Sequence, residues 1–409
     1  MTGPQTRIRI AAVAASPVVY QSVLYRRLAA DPRLELTVIF ASSGGVRQYD
    51  AGFGGRMVAW DEDLLDGYEH VFLRHADSND VLKGFFALRD LDVVGRVWNG
   101  SYDAVWVHGY SYLTLWLAIF AARLRRLPVL IREEQTLLHR RPWLRELARG
   151  VILRLLFINT TALYIGTNNR EFFRAYGVPD RRLFSAPYCV DNEDLQRRAR
   201  LLAPERDQVR ERFGVGGPDP VILFVGKLVP KKDPLTLVEA FRKVRAERPC
   251  RLLVVGEGPL ESEMRRRVEA YGLSDVSFVG FLNRTEIADA YAAADIFCLP
   301  SAFHETWGIV VNEAMNFALP MVVSDKVGCG RDLIREGENG NVVPVGDIEA
   351  LAGALKALVA DAGMRSRYGR RSLEIISGWH VGLAADGIVA AAAAASGRDI
   401  PRQRVAVGS

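Results

Sequence analysis

The sequence predicts an α/β protein with two doubly wound domains, each built on a parallel β-sheet, that face each other across a cleft. Its 409 residues exceed what one ordinary hydrophobic core accommodates, which favours two domains. In both halves, short apolar runs alternate with helix-length segments, a pattern typical of parallel sheets covered on both faces. An Arg-rich segment without strand character, residues 186–210, separates the halves.

The first half contains five short apolar runs that we predict to be buried strands. They are residues 7–15, 34–42, 104–109, 128–133 and 162–166. Amphipathic segments at residues 21–32 and 113–127 predict helices between strands.

The second half repeats this arrangement. Its predicted strands are residues 220–228, 251–258, 276–281, 296–301 and 320–325. Its predicted helices are residues 234–247, 259–271, 284–293 and 309–317. We place the domain limits at residues 1–187 and 188–378, followed by a helix at 379–396 that packs back on the first domain and a flexible tail at 397–409.

Composition and charge narrow the class of protein. Hydrophobic residues make up 49% of the chain and charged residues 25%, as in globular proteins. The net charge of +5 favours anionic ligands, but the basic residues are spread out and no aromatic–basic platform accompanies them, so we predict no nucleic-acid partner. The four cysteines lack metal-binding spacing, which favours a reducing compartment. No apolar run reaches the roughly 18 residues of a membrane span.

Two glutamates follow the strand predicted at residues 296–301. Glu305 lies in the loop after this strand, and Glu313 lies about one turn inside the next predicted helix. Free amides at the start of that helix, together with its dipole, attract a phosphate or another anion. A ligand held there could contact Glu305 at one end and Glu313 at the other. On spacing alone, a loop charge and a solvated helix residue fit equally well.

Lysines and glycines follow neighbouring strands of the same predicted sheet. The first strand ends at Gly226, and the next loop carries Lys227, Lys231 and Lys232. These lysines suit a diphosphate as point charges, although a solvated basic loop has the same composition. The next strand ends in a Gly-x-Gly turn, Gly256 to Gly258, which is weak evidence for a nucleotide when taken alone. Together, the signals at successive strand ends favour one binding site.

Residues 220–380 resemble the C-terminal domain of family 4 glycosyltransferases, within glycosyl transferases group 1 of bacteria. The resemblance rests, in order, on VGKLVPKKDP, VVGEGPL, FVGFLNRTEIADAYAAADIFCLPSAFHETWGIVVNEAMNFALPMVVSD and LIREGENGNVVP. The two glutamates with seven residues between them are its most specific part. It implies a GT-B architecture, with the acceptor bound by the first domain and the nucleotide sugar by the second. The implied enzyme is a retaining transferase whose donor is a nucleotide diphosphate sugar, with UDP-linked sugars favoured.

The resemblance also implies roles for residues of the second domain. Glu313 matches the residue that binds the donor ribose, and Glu305 matches the carboxylate beside the donor sugar. Lys232 matches the diphosphate lysine, whereas Lys227 stands where relatives usually have an arginine, so the bidentate fork is lost. Backbone at residues 281–282 matches the wall against the base. The further predicted donor-binding residues are Gly226, Gly256, Gly258, Phe281, Leu282, His304, Thr306, Trp307, Gly308 and Ile309.

The first domain departs more from the family. Its first strand is followed by AASPVVYQSVL, without the Gly-Gly turn of many relatives, although Tyr20 and Gln21 could still face the cleft. Relatives often place a histidine after a strand of this domain, against the donor sugar. Here VLIREEQT offers Glu134, and the preceding strand ends at His108. We predict that His108 takes part in catalysis and that Glu134 lines the cleft on the acceptor side, with an ordinary structural role as the alternative for each.

The resemblance implies a same-face displacement in which the leaving phosphate accepts the proton of the acceptor. Lys227, Lys232 and the amides of residues 307–310 would then stabilise the charge that grows on the diphosphate. Asp61 and Asp63 lie outside the nucleotide-binding half, and we assign them to a helix cap. We therefore predict that neither a metal nor a cofactor other than the donor is required.

Residues 139–157 combine five arginines with a tryptophan and several leucines. This pattern suits a helix that lies on an anionic bilayer, as expected for a lipid-linked acceptor. The alternative is a basic helix that packs its apolar face into the core. We predict a cytoplasmic protein with peripheral contact at the inner face of the cell membrane.

Two other functions share this fold and remain open. A nucleotide-sugar epimerase would convert its donor without an acceptor, and a non-catalytic nucleotide-sugar-binding subunit would have no need to retain Glu305, Glu313 and Lys232. An NAD-dependent dehydrogenase is disfavoured, because neither half has Gly-x-Gly-x-x-Gly after its first strand. The predicted function is transfer of a hexosyl or related group to a hydroxyl of a lipid-linked saccharide, polysaccharide precursor or natural product.

Overall fold

Two parallel β-sheets, one in each half of the chain, organise the fold. The computed structural model describes residues 7–45, 47–50, 56–59, 63–78, 84–138 and 142–398, with the backbone alone for 47–50 and 56–59. The strands of the first half are β1 (Ile8–Ala14), β2 (Leu34–Phe40), β3 (Arg47–Asp50), β4 (Arg56–Ala59), β5 (Glu69–Phe72), β6 (Ala104–His108), β7 (Val129–Arg132), β8 (Thr160–Tyr164) and β9 (Leu183–Ser185). Strands β3 and β4 form a separate antiparallel pair, and the others form a sheet in the order β5-β2-β1-β6-β7-β8-β9.

Helices cover both faces of this first sheet. They are α1 (Val19–Ala29), α2 (Asp92–Asn99), α3 (Leu113–Leu124), α4 (Trp143–Leu156) and α5 (Thr167–Ala175). Residues of β1 alternate between two apolar cores, with Ile10 and Ala12 packed towards α1 and Ala11 and Val13 towards α2 and α3. Burial on both faces explains why the strands read as continuous apolar runs.

The second half contains a six-stranded parallel sheet in the order β12-β11-β10-β13-β14-β15. These strands are β10 (Val221–Val225), β11 (Arg251–Val255), β12 (Val276–Gly280), β13 (Ile296–Leu299), β14 (Met321–Ser324) and β15 (Gly340–Val343). The remaining helices are α6 (Asn192–Leu202), α7 (Arg206–Arg212), α8 (Pro234–Glu247), α9 (Glu261–Ala270), α10 (Arg284–Ala293), α11 (Ile309–Met315), α12 (Gly330–Leu333), α13 (Ile348–Ala360), α14 (Ala362–Ser377) and α15 (Val381–Ser396).

The predicted fold class is confirmed, since each half carries a parallel sheet covered by helices. Helices α8 and α10 begin and end at the predicted residues because their starts carry strong local signals. Asp233 caps α8 ahead of Pro234, and Asn283 forms a capping box with Glu286 at the start of α10. Strands β3, β4, β5, β9 and β15 were not predicted, because they have at most four residues and give little periodic signal.

Helix α15 returns the chain to the first sheet. Its buried alanines pack in the same core as β1 and α1, and Gly387 meets the backbone of β9 so closely that a Cβ there would lie 1.6 Å from the Ser185 carbonyl oxygen. The stretch Ala362–Ser396 contains an 18-residue window with the apolarity of a membrane span, with a mean hydropathy of 1.4. It consists of two helices, α14 and α15, that meet at residues 378–380. Residues 399–409, most of the predicted tail, lie outside the described residues.

The helix cap predicted near residues 61–63 is wrong for Asp63. Residues 63–68 form turns and bends rather than a helix, and the Asp63 carboxylate accepts a hydrogen bond from the Leu65 amide at 2.9 Å. Asp61 lies outside the described residues.

Candidate active site

A cavity of about 300 Å³, which we call the C-terminal cavity, lies where β10, β11 and β12 end. Gly226 and Gly256 form part of its floor, and their chains run so close that a Cβ on Gly256 would lie 2.0 Å from the Gly226 carbonyl oxygen. The lining residues are Val18, Val19, Tyr20, Val190, Val225, Gly226, Val255, Gly256, Phe281, Leu282, Asn283, Arg284, Ile287, Ile309, Val310 and Glu313. The first three come from the N-terminal half, so the cavity lies between the two domains.

Glu313 provides the carboxylate of the C-terminal cavity. It is the fifth residue of α11 and accepts a hydrogen bond of 2.7 Å from the Tyr291 hydroxyl on α10. Burial raises the pKa of Glu313, against the lowering effects of the Tyr291 hydrogen bond and the charge of Arg284. The apolar walls and this single carboxylate suit a flat, partly apolar ligand that carries hydroxyl donors.

A second cavity of about 390 Å³, the N-terminal cavity, lies at the ends of β6 and β7. It adjoins the C-terminal cavity at Val18, which lines both. Its lining residues are Ala14, Ala15, Ser16, Val18, Gln21, His108, Gly109, Ser111, Tyr112, Arg132, Glu133, Glu134, Gln135 and Thr306. The two cavities together form one cleft.

Glu305 lies in the loop that separates the two cavities. The next residue, Thr306, lines the N-terminal cavity, and Ile309 lines the C-terminal one. The buried Glu305 carboxylate accepts hydrogen bonds from the Lys232 ammonium and, at 3.0 Å, from the Ser301 hydroxyl.

The charge of Glu305 is fixed by its cations. The Lys231 ammonium lies 3.8 Å from its carboxylate, in addition to the Lys232 contact. Burial alone would raise the pKa of Glu305, but the charges of Lys232 and Lys231 outweigh it and hold the pKa below its ordinary value. Glu305 is therefore ionised at neutral pH.

The N-terminal cavity contains a carboxyl group whose pKa is raised, whereas that of Glu305 is lowered. Burial raises the pKa of Glu133 to about 7, although the backbone amide of Glu134 donates a 2.9 Å hydrogen bond to it. Glu134, partly buried beside it, accepts a hydrogen bond from the Tyr188 hydroxyl. This wall of the cleft can therefore change its charge near neutral pH.

His108 and Arg132 complete the polar wall of the N-terminal cavity. The Tyr25 hydroxyl lies 2.9 Å from Nε2 of His108, and burial holds the pKa of this histidine well below its ordinary value, so that it is neutral. The Tyr25 contact is what an ordinary histidine at a strand end would show. Arg132 is buried, stacks on Tyr188 and donates to the carbonyls of residues 186 and 187, but its Nε has no partner.

The cleft brings together most of the residues predicted from the sequence. Those that line one of the cavities are Tyr20, Gln21, His108, Glu134, Gly226, Gly256, Phe281, Leu282, Thr306, Ile309 and Glu313. Glu305 and Lys232 pair with each other and line neither cavity, but Thr306 next to Glu305 lines the N-terminal cavity and Gly226 beside the Lys232 side chain lines the C-terminal one. Lys227 is half-buried in the same loop as Lys232.

Four further predicted donor-binding residues line neither cavity. The Trp307 indole is buried between Tyr188 and Trp379 and donates to the Asn312 side chain at 2.8 Å, away from both cavities. Gly258 allows the close approach of Leu228, whose carbonyl oxygen would lie 2.5 Å from a Cβ at this position. Gly308 begins α11 with a φ of 95°. His304 is exposed.

Several residues that set the properties of the site were given no role from the sequence, and Lys231 was named only as one of three lysines suited to a diphosphate. Ser301 and Lys231 bind Glu305, Tyr291 binds Glu313, and Glu133 faces the N-terminal cavity. Lys231 was visible as the neighbour of Lys232, whereas Tyr291 is indistinguishable in sequence from a core residue of an amphipathic helix.

Comparison with known proteins agrees with this geometry. Residues 205–374 match the family described as glycosyl transferases group 1. The chain is 30% identical over 201 residues to alpha-D-kanosaminyltransferase of Streptomyces kanamyceticus, covering 48% of this chain and 50% of the relative. It is 37% identical over 150 residues to phosphatidyl-myo-inositol mannosyltransferase of Mycobacterium leprae, covering 36% and 39%. It thus spans half or less of the length of these curated relatives.

The overall structure is similar to that of Anabaena Alr3699/HepE in complex with UDP and glucose. The TM-score is 0.68 at 18% identity, and the match covers 94% of this chain and 99% of the other. At this identity the similarity establishes the fold alone. Residues 205–374 are therefore similar to glycosyl transferases group 1, and the chain has a GT-B fold, as the sequence predicts.

Proposed function

We propose that this protein is a retaining glycosyltransferase that moves a sugar from a nucleotide diphosphate sugar to a hydroxyl acceptor. The observation that carries this proposal is the Glu305–Lys232 pair, whose neighbours Thr306 and Gly226 line two adjoining cavities of different chemistry. A donor would occupy the C-terminal cavity with its nucleoside, and an acceptor would occupy the N-terminal cavity. The reacting bond would then lie beside Glu305.

The C-terminal cavity suits a nucleoside in size and lining. Small-molecule sites start at about 300 Å³ and combine apolar walls with few polar groups. Leu282 and Ile287 would contact the base, and Glu313 would accept hydrogen bonds from the ribose hydroxyls while Tyr291 holds its carboxylate in place. A UDP-linked donor is our proposal by analogy with the Anabaena neighbour, whose structure contains UDP and glucose.

The chemistry we propose is a same-face displacement. The acceptor oxygen forms a bond to the anomeric carbon, the bond from that carbon to the diphosphate oxygen breaks, and the departing phosphate takes the acceptor proton. Lys232, with Lys227, would stabilise the negative charge on the diphosphate. The ionised Glu305 would hold sugar hydroxyls and stabilise the positive charge on the sugar ring. Because these lysines supply positive charge at the diphosphate, we propose turnover without a metal or another cofactor.

We propose peripheral membrane contact and a lipid-linked acceptor. Helix α4, within the predicted membrane segment 139–157, exposes six large apolar side chains, each 50–73% exposed. They are Trp143, Leu144, Leu147, Val151, Ile152 and Leu155. Of its large apolar side chains, only Leu153 and Leu156 are buried. Most of the apolar surface of α4 is therefore exposed, which disfavours the alternative of a helix packed into the core. Arg145 and Arg154 are exposed beside it, while Arg140 and Arg141 lie outside the described residues.

A thermal-shift screen of nucleotide sugars, followed by turnover assays, tests the proposed function. The donor should raise the melting temperature with increasing concentration, because it binds only the folded state. Glu313→Gln should weaken this binding about 30-fold, since hydrogen bonds to a charged group contribute roughly 1.5–3 kcal/mol. Glu269→Gln, at an exposed position on α9, is the matched control.

The outcomes separate the three functions that share this fold. Transfer with retained anomeric configuration, dependent on an acceptor and unaffected by a chelator, supports the proposal. Conversion of the donor to a C2 epimer without acceptor would establish an epimerase. Tight donor binding without any turnover, across a panel of lipid and soluble acceptors, would establish a binding subunit.

A further inference from the structure

A cavity of about 730 Å³ lies at the edge of the first sheet opposite to the candidate active site. Val129 at the start of β7 and Thr161 near the start of β8 line it, whereas Glu133 in the cleft follows the other end of β7. The C-terminal ends of α3, α4 and α15 complete its walls. This cavity therefore takes no part in the proposed sugar transfer.

Arginines dominate this cavity, which we call the arginine cavity. Arg123, Arg126, Arg181 and Arg182 line it, and no aspartate or glutamate does. Within the described part of the chain, Arg126, Arg181 and Arg182 form no ion pair. Asp180, the nearest acidic neighbour of Arg181 and Arg182 in sequence, is held by Arg174 at 2.7 Å and by Arg170 at 3.6 Å.

The fourth arginine, Arg123, also has no carboxylate partner among the residues that the structure describes. Arg123 donates hydrogen bonds to the backbone carbonyls of Leu156 and Ile158, which terminate α4. Burial lowers the pKa of its guanidinium, with no acidic group to offset the effect. Four like charges around one cavity favour an anion between them, and the planar guanidinium fork matches phosphate oxygens.

The rim of the arginine cavity is apolar and continues onto α4. Leu155 and Ile158 line the cavity and are more than half exposed. Phe120 and Leu124 of α3 are also exposed, next to Arg123 in sequence. A ligand that satisfies both surfaces carries a phosphate beside a long apolar chain, which is the chemistry of a phospholipid.

We propose that the arginine cavity binds the phosphate of an anionic phospholipid head group while the exposed face of α4 enters the same leaflet. The inference rests on the membrane contact proposed above and deepens it by naming the lipid group and its site. Helix α4 begins just after the loop that carries Glu133, Glu134 and Gln135, and ends at the arginine cavity. A bilayer along α4 would therefore hold the N-terminal cavity near its surface, where a lipid-linked acceptor could enter.

Co-sedimentation of the full chain with vesicles tests this site. Wild type should bind phosphatidylcholine vesicles weakly and vesicles that also contain phosphatidylglycerol tightly. Arg181→Gln/Arg182→Gln should bind the anionic vesicles about 30-fold more weakly, because each basic residue near such a surface contributes about 1 kcal/mol. Arg200→Gln/Arg248→Gln removes the same charge from exposed positions in the other half of the chain and should bind nearly as wild type does.

Two further measurements separate the head-group site from the apolar face and from folding. Leu147→Gln/Ile152→Gln should weaken binding to both kinds of vesicle, because it removes apolar contact rather than charge. For wild type, raising the salt concentration should weaken binding to the anionic vesicles only, and this needs no variant. Donor binding in the thermal-shift assay should be unchanged in every variant. This assay therefore tests the proposed enzyme function independently of vesicle binding.

Three results would overturn the inference. The first is equal binding of anionic vesicles by the Arg181/Arg182 variant and its charge-matched control. The second is saturable binding of inorganic phosphate at micromolar concentration, lost in the same variant, which would assign the cavity to a soluble anion. The third is a concentration-dependent dimer that Leu147→Gln/Ile152→Gln dissociates, without vesicle binding by wild type, which would assign the apolar face to a second copy.

Discussion

The two walls of the cleft hold their carboxyl groups in opposite ways. On the C-terminal wall, Glu305 is buried against Lys232 and Lys231, and its pKa lies below the ordinary value. On the N-terminal wall, burial raises the pKa of Glu133 to about 7, and no cation lies within ion-pair distance among the described residues. The same side chain, equally buried, thus has a fixed charge on one wall and a variable charge on the other.

This difference shows that neighbours, rather than burial, decide the charge of the site. The wall with paired charges faces the proposed diphosphate and sugar, where a constant field is useful throughout the reaction. The wall with a titrating carboxyl and a neutral His108 faces the proposed acceptor. The reacting hydroxyl of that acceptor carries no charge when it binds. Substitutions on each wall should therefore affect different measurements.

The largest expected effect is that of Glu305→Gln on turnover. The amide keeps the shape of the side chain but removes the negative charge that we propose to lie beside the sugar ring. We expect kcat to fall about 10²- to 10³-fold, the usual loss when one preorganised electrostatic contact is removed from an active site. Initial rates with saturating donor and acceptor measure this effect.

Donor affinity separates a catalytic effect of Glu305→Gln from a structural one. The nucleotide should still bind within a few-fold of wild type, because Glu313 and the apolar walls remain. Glu269→Gln should retain full activity. If kcat fell less than about 10-fold, the catalytic role of Glu305 would be wrong. The different charges of the two walls would then affect the stability of the protein but not its catalysis.

The next effect is the pH dependence of stability caused by Glu133. Its pKa is about 7 in the folded protein and near 4.5 in the unfolded chain, so between these values the folded state binds more protons. Stability should therefore fall as pH rises from about 4.5 to 7, by up to about 3 kcal/mol. Glu133→Gln keeps an oxygen for the Glu134 amide and should remove this fall.

Melting temperatures at pH 5 and pH 8 measure the effect of Glu133. The difference between the two pH values should be smaller in Glu133→Gln than in wild type, because only the variant lacks the titrating group. Glu269→Gln serves as the control and should keep the wild-type difference. An identical pH response in wild type and Glu133→Gln would show that Glu133 is solvated and that the contrast between the walls fails.

The sequence predicted the second domain better than the first, for physical reasons. Helices α8 and α10 were placed to the residue because Asp233 and Asn283 are local caps whose effect needs no tertiary context. The meeting of Lys232 with Glu305 follows from topology: β10 and β13 are neighbours in the sheet, so the loops that follow them converge.

Burial and orientation could not be predicted. Nothing in the sequence distinguishes Glu133, which is buried, from Glu134 beside it, because both follow the same strand. The apolar residues of α4 have a spacing that fits both a bilayer-facing and a core-facing helix, and only the finished fold shows that most of them face outward. The charge of the N-terminal wall and the outer surface of α4 are therefore tertiary properties.

The smallest expected effect is an increase in the affinity of the C-terminal wall for the nucleotide diphosphate. The family resemblance implies an arginine at the position of Lys227, and an ammonium offers a phosphate no bidentate fork. Lys227→Arg should tighten binding of the nucleotide diphosphate about three-fold, the equivalent of one additional net hydrogen bond. Calorimetric titration measures this gain, with Lys243→Arg, on the outer side of α8 against Glu349, as the matched control. Unchanged or weaker binding would mean that Lys227 does not reach the diphosphate, so that Lys232 alone carries the charge of this loop to the donor.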